Sequence, residues 1–141
     1  MKKTEILDDT TSHWFGMQDY QIKLALSPHI ININYIGEPP FGDSYHSLSI
    51  DDVQIDGYVW GCKFMFPYQQ RYLMCSWMAD LYERKTIIIQ LSTAKIHVLK
   101  EYWYDYKVKE GIINLSNDDF KTTIFVEPGM LKNWFDDLSL K

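Results

Sequence analysis

Between Tyr58 and Leu115 the chain is a ladder of short apolar, aromatic-rich runs, most of them shorter than an ordinary helix. The runs cover residues 58–66, 71–79, 86–91, 96–99, 102–108 and 112–115. Val, Ile, Tyr, Phe and Trp dominate them, the side chains that fit a pleated, half-buried surface. On 58–66, Trp60, Cys62, Phe64 and Phe66 share one face, and on 71–79 Leu73, Cys75, Trp77 and Ala79 do. A hairpin turning at 67–70 puts both sets on the same side of a sheet. Run 86–91 is nearly all Ile, which predicts a central strand buried on both faces. Residues 92–95 form the turn that follows it.

The flanking sequence extends the same pattern. Tyr20, Ile22, Leu24 and Leu26 alternate with Gln21, Lys23 and Ala25, and Ile31, Ile33 and Tyr35 alternate with Asn32 and Asn34. Both read as half-buried strands, with a turn at 27–29 between them. Two prolines and two glycines in 37–44 predict the chain's best loop. Short segments at 47–50 and 53–55 lead into the ladder, and 120–126 is a further strand-like run. The period then changes. Met130, Leu131, Trp134, Phe135 and Leu138 line one face of a short helix, with Pro128 suited to its first turn. The expected fold is mainly β with a minor α part. It is an antiparallel β-sandwich or half-barrel meander of about eight strands, and the short C-terminal helix covers an end or edge of the sheet. At 141 residues the chain is read as one β-rich domain over 1–141, with 1–12 polar and expected to be mobile.

Charge and cysteine usage narrow the class of function. The net charge is −5, so a phosphate backbone is repelled and direct nucleic-acid binding is disfavoured. The same charge steers a basic protein toward encounter. No apolar run approaches the roughly 20 residues a membrane helix needs. The start has two lysines and no apolar stretch of the signal-peptide kind, so the cytoplasm is the expected compartment. A hairpin at 67–70 sets Cys62 opposite Cys75, where a bridge is geometrically conceivable. In the cytoplasm both are expected as reduced, buried thiols.

No motif for catalysis is present. There is no nucleophile elbow, no P-loop and no dinucleotide fingerprint. His13, His29, His46 and His97 have no metal-ligand spacing, so no metal and no cofactor are expected, and the chain is read as a non-enzyme. His97 lies within a strand, where a solvent-facing or hydrogen-bonded role is expected. His13 lies in a loop beside Trp14 and Phe15. Four acidic doublets stand out, at 8–9, 51–52, 118–119 and 136–137. Adjacent aspartates mostly cap turns, and the functional alternative is an acidic face for a partner. In 102–108, Tyr102, Tyr104 and Tyr106 share one face, and Trp103, Asp105 and Lys107 share the other. An exposed Trp103 between charges makes an interface anchor, whereas exposed tyrosines make a stacking platform for sugars or bases. The candidate partner-binding residues are Asp51, Asp52, Asp56, Trp103 and Asp105.

Two resemblances follow. Residues 56–96, with Pro67, Arg71, Tyr72 and Leu73 followed by the hairpin 85–96, look like one blade of a β-propeller. Four blades do not fit in this length, so only the meander is retained. In size, acidity and lack of motifs the whole chain is similar to bacterial immunity proteins of the contact-dependent or polymorphic toxin type. That resemblance implies a stoichiometric inhibitor whose aspartates and aromatics occlude a toxin domain, often a basic nuclease. Such a protein has a protein partner and no membrane partner, and a homodimer is allowed. The competing reading is a small-ligand or carbohydrate-binding β module with an exposed aromatic face.

Overall fold

The computed structural model describes residues 2–16, 18–37, 44–80, 83–117 and 123–135, with the side chains of 61, 62 and 123 not described. Residues 38–43 of the loop expected at 37–44, the doublets at 118–119 and 136–137, Phe120 and Leu138 lie outside the described residues.

The fold is mainly β, as the run lengths predict, but the main sheet is mixed rather than purely antiparallel. Its strands are β1 (Lys2–Ile6), β2 (His13–Trp14), β3 (Tyr20–Leu24), β4 (Ile30–Gly37), β5 (Tyr45–Ile50), β6 (Val53–Gln54), β7 (Tyr58–Met65), β8 (Tyr72–Met78), β9 (Lys85–Gln90) and β10 (Lys95–Val98). The order across the sheet is β1-β3-β4-β5-β7-β8-β9-β10, with β2 paired to β7 and β6 to β5. A second, three-stranded antiparallel sheet holds β11 (Asp105–Lys109), β12 (Ile112–Ser116) and β13 (Thr123–Val126). The C-terminal helix runs Pro128–Phe135.

Alternation sets the register of the first strands. Tyr20 faces Ile33, Ile22 faces Ile31, and these continue to Leu48 and Ile50 on β5. All six are buried on one face. The other face carries a polar ladder in which Gln21 Nε2 donates to Asn32 Oδ1 at 3.2 Å. A one-residue slip would exchange the two faces, so burial fixes the pairing. The polar start of the chain, expected to be mobile, forms β1, which pairs in parallel with β3. Of its side chains only Ile6 is buried.

Between Val59 and Phe64 strand β7 gains three residues on β8, because Val59 faces Trp77 whereas Phe64 faces Cys75. An odd insertion inverts the alternation. Phe64 and Phe66 reach the inner core as expected, but Val59 takes the place expected for Trp60, which does not belong to that core. The same shift puts Phe64, not Cys62, opposite Cys75. Cys75 is a free, buried thiol whose pKa burial pushes well up, out of the reactive range.

Two cores result. The large sheet curls so that Ile22, Ile31, Leu48, Phe64, Leu73 and Ile89 meet in one cluster. On the back of β8 and β9, Tyr72, Met74 and Ile88 meet Trp103, Tyr106, Ile113 and Leu115 of the small sheet and its approach, together with Leu131 and Phe135 of the helix. Strand β9 therefore has apolar neighbours on both sides, as its run of Ile predicts. The helix lies against β10 at the sheet edge, with Trp134 stacked on His97 at 4.0 Å between ring centroids.

Gln70 ties the curl together. It follows Tyr68 and Gln69 in a turn where all three have positive φ, so residues 67–70 are not a regular helix. The buried Gln70 amide accepts from Leu26 N–H at 2.7 Å and donates to the Ile6 carbonyl at 2.7 Å. One side chain thus links the β7–β8 turn to β1 and to the end of β3, on the opposite flank of the curled sheet.

Candidate functional site

Asp51 and Asp52 form the two-residue turn between β5 and β6, both left-handed, with φ of 50° and 67°. Such turns match the twist of the paired strands. Asp51 is engaged within the fold. Its Oδ1 accepts from Ile30 N–H at 2.9 Å, and its Oδ2 accepts from His29 Nδ1 at 2.6 Å. Partial desolvation pushes the carboxyl up, but the hydrogen bonds from His29 and Ile30 outweigh it and hold its pKa below the usual value. Asp56 follows β6, and its carbonyl accepts from Trp77 Nε1 at 2.8 Å. Gly57 must be glycine here, since a Cβ would come within 2.6 Å of that indole nitrogen and φ is +81°. The carboxylates of Asp52 and Asp56 remain at the surface around β6.

Trp103 and Asp105 belong to another part of the fold, at the entry to the small sheet. Trp103 is only 2% exposed and sits in the second core. Its N–H donates to Thr86 Oγ1 at 2.7 Å, and its carbonyl accepts from the same hydroxyl at 3.3 Å. An anchor needs exposed area, so Trp103 is corrected from a partner contact to a core residue. The tyrosine stripe is not formed either. Tyr106 is buried, the Tyr102 hydroxyl pairs with Ser76 Oγ at 3.1 Å, and only Tyr104 stands out, at 49% exposure. The reason is that β11 begins at Asp105, so strict alternation does not reach back to 102.

The exposed tryptophan is Trp14, at 72%. Its strand, β2, is two residues long and lies against β7, with His13 opposite Phe64 and Trp14 opposite Lys63. Paired residues point to the same side, so the buried Phe64 takes the inner side and Trp14 and Lys63 project outward. The Lys63 ammonium lies 4.7 Å from the Tyr104 ring centroid and 3.3 Å from Asp105 Oδ1. That same oxygen accepts from Ser12 Oγ at 3.2 Å and from Tyr106 N–H at 2.9 Å. Asp105 is a junction between the two sheets rather than an unengaged acid. Beyond it an open groove of about 430 Å³ runs over the outer face of the small sheet, between Lys107, Lys109, Asn114 and Phe125. Phe125 is 59% exposed. Trp14, Lys63, Tyr104, Asp105 and the Phe125 groove therefore form one connected face.

Neither Trp14 nor Phe125 is distinguished by periodicity. The one signal in the sequence is that Trp14 sits in a non-alternating segment, where no second layer is implied. Of the histidines, His13 Nε2 lies 3.7 Å from Asp8 Oδ2, His29 pairs with Asp51, His46 is buried and His97 stacks on Trp134. Among the described residues no three His, Cys, Asp or Glu side chains gather as a metal site, and no helix is long and apolar enough to cross a membrane. No family model, curated protein or solved structure matches the chain. The connected face supplies aromatic area, an internally neutralised ion pair and two further lysines. Aromatic area and paired charges of this kind are features that recognition surfaces use.

Proposed function

We propose that the protein is a cytoplasmic immunity-type inhibitor that binds a bacterial toxin domain one-to-one through the face built on Trp14, Tyr104 and Phe125. The observation that carries this reading is Trp14, a tryptophan projecting into solvent from a short strand paired with β7. An exposed tryptophan, with only two side-chain torsions to fix, loses little conformational entropy on docking and often dominates interface energies. Net charge of −5 attracts a basic toxin such as a nuclease, and the carboxylates of Asp52 and Asp56 add to that long-range field. Within the face, Lys107 and Lys109 favour carboxylates on the partner, which would set orientation.

The test begins with capture of partners from the native host and co-expression with the toxin so identified. Trp14→Ala is expected to weaken binding by about 2 kcal/mol or more, roughly thirtyfold, and to remove protection. Asp52→Lys with Asp56→Lys is expected to slow association and leave dissociation nearly unchanged. Equal binding by Trp14→Ala and wild type would rule out this face, and a toxin that kills despite a one-to-one complex would rule out inhibition.

A further inference from the structure

Apart from the two-residue strands β2 and β6, the two sheets end on four strands, and three of these are guarded against further pairing. On β1 the side chains of Lys2, Lys3 and Glu5 face solvent, and charges of this kind protect an edge. On β10 the exposed Lys95 does the same, and the C-terminal helix lies alongside with Trp134 stacked on His97. On β11 the segment at 10–11 takes the free side, through the bond from Val108 N–H to the Thr10 carbonyl and the bridge between Thr11 and Lys107. The fourth strand is β13. Among the described residues it pairs with β12 alone, in a regular register, and residues 123–126 carry no charge and no proline.

The strand is exposed on both of its faces. Ile124 shares the inner side with its partner Leu115, yet Leu115 is fully buried and Ile124 is 40% exposed. Phe125 shares the outer side with Asn114 and is more exposed still. A sheet packed on one side exposes one face only. Two neighbouring apolar side chains that are open on opposite faces have in common only their place at the edge. A further strand laid along β13 supplies a cross-strand neighbour to each of them at once.

We propose that β13 pairs antiparallel with β13 of a second copy, joining two three-stranded sheets into one of six strands. A two-fold axis perpendicular to the sheet keeps every side chain on its own face, and directly opposed residues share a face. With the axis through Phe125, that residue opposes its own counterpart and Ile124 opposes Val126, so apolar meets apolar throughout. At the strand end Glu127 comes opposite Thr123 rather than another acid. No like charges are set against each other, which matters between two chains of net charge −5. So short a strand buries less than the roughly 800 Å² per copy of a standard interface, and the dimer therefore depends on concentration. Pairing along the edge leaves the outer side of Phe125 open, and the inference does not rest on the partner-binding reading.

The test is sedimentation of the full chain from about 10 μM to about 1 mM, a range that covers weak association. The mass is expected to rise from one chain toward two. Ile124→Lys and Phe125→Lys, each at an exposed position where the fold has room for it, should weaken association at least tenfold by putting a charge on the edge. A wild type that stays monomeric at the highest concentration overturns the proposal. Undiminished association in either folded lysine variant also overturns it, since the contact would then lie elsewhere, and if one variant does not fold the other decides alone.

Discussion

His46 shows how a single side chain can make stability depend on acidity. It sits on the inner face of β5, fully buried, between the Tyr35 ring at 5.5 Å and the Tyr20 ring at 6.5 Å, and neither ring nitrogen has a hydrogen-bond partner. Burial pushes its pKa down, and Asp19 opposes this only in part. The unfolded chain binds a proton at His46 near pH 6.5, while the folded chain resists until lower pH. Stability is therefore lost as pH falls from about 6.5 toward the folded value, by up to about 1.4 kcal/mol per pH unit for this one group. Urea unfolding of wild type and His46→Leu at pH 7 and pH 5 should show a smaller pH loss in the variant. Equal losses would mean that His46 is not held neutral. The two tryptophans mark the limit of sequence reading at this scale. Trp103 and Trp14 look equally available in one dimension. What separates them is a second layer of structure over β8 and β9, and alternation along one strand carries no information about what covers its faces.

At the scale of elements, legibility followed burial. Strand β9 was readable because both of its faces are apolar, and β3 to β5 because one face is. Strand β1 was not readable. Lys2, Lys3 and Glu5 face solvent, and its order comes from backbone pairing with β3 rather than from side-chain burial. The β7 irregularity was equally hidden, since the run of residues 58–65 gives no sign of a three-residue offset against β8. The β5–β6 turn yields a prediction of its own. Asp52 is exposed with φ of 67°, a conformation that costs a residue with a Cβ and suits glycine. Asp52→Gly should raise stability by about 0.5 kcal/mol, after allowing for the greater freedom of glycine in the unfolded chain. A lower urea midpoint would show that the Asp52 side chain has a stabilising role unrelated to the turn. Asp51 should not tolerate the same change, because His29 and Ile30 both rely on its carboxylate.

At the scale of the whole molecule, two cores share β8 and β9, and the segment from Ile6 to Trp14 stitches the layers together. Besides the Gln70 bond, Val108 N–H donates to the Thr10 carbonyl at 2.6 Å, Thr11 bridges to Lys107, and Ser12 bonds Asp105. Removing residues 1–12 should therefore cost about 3 kcal/mol or more, through lost pairing and newly unsatisfied buried groups. An unchanged urea midpoint in the shortened chain would contradict this role. The same stitching has a consequence for synthesis. Residues 8–12 leave the ribosome early, yet their partners at 105–108 follow nearly a hundred positions later, which at translation speeds is a wait of roughly 5 to 20 seconds. During that wait the inner core can begin to gather, but the seam that joins it to the second layer stays open. Residues 8–12 are thus made long before the strand that fastens them, although Ile6 just ahead of them already has its partners in β3 and Gln70.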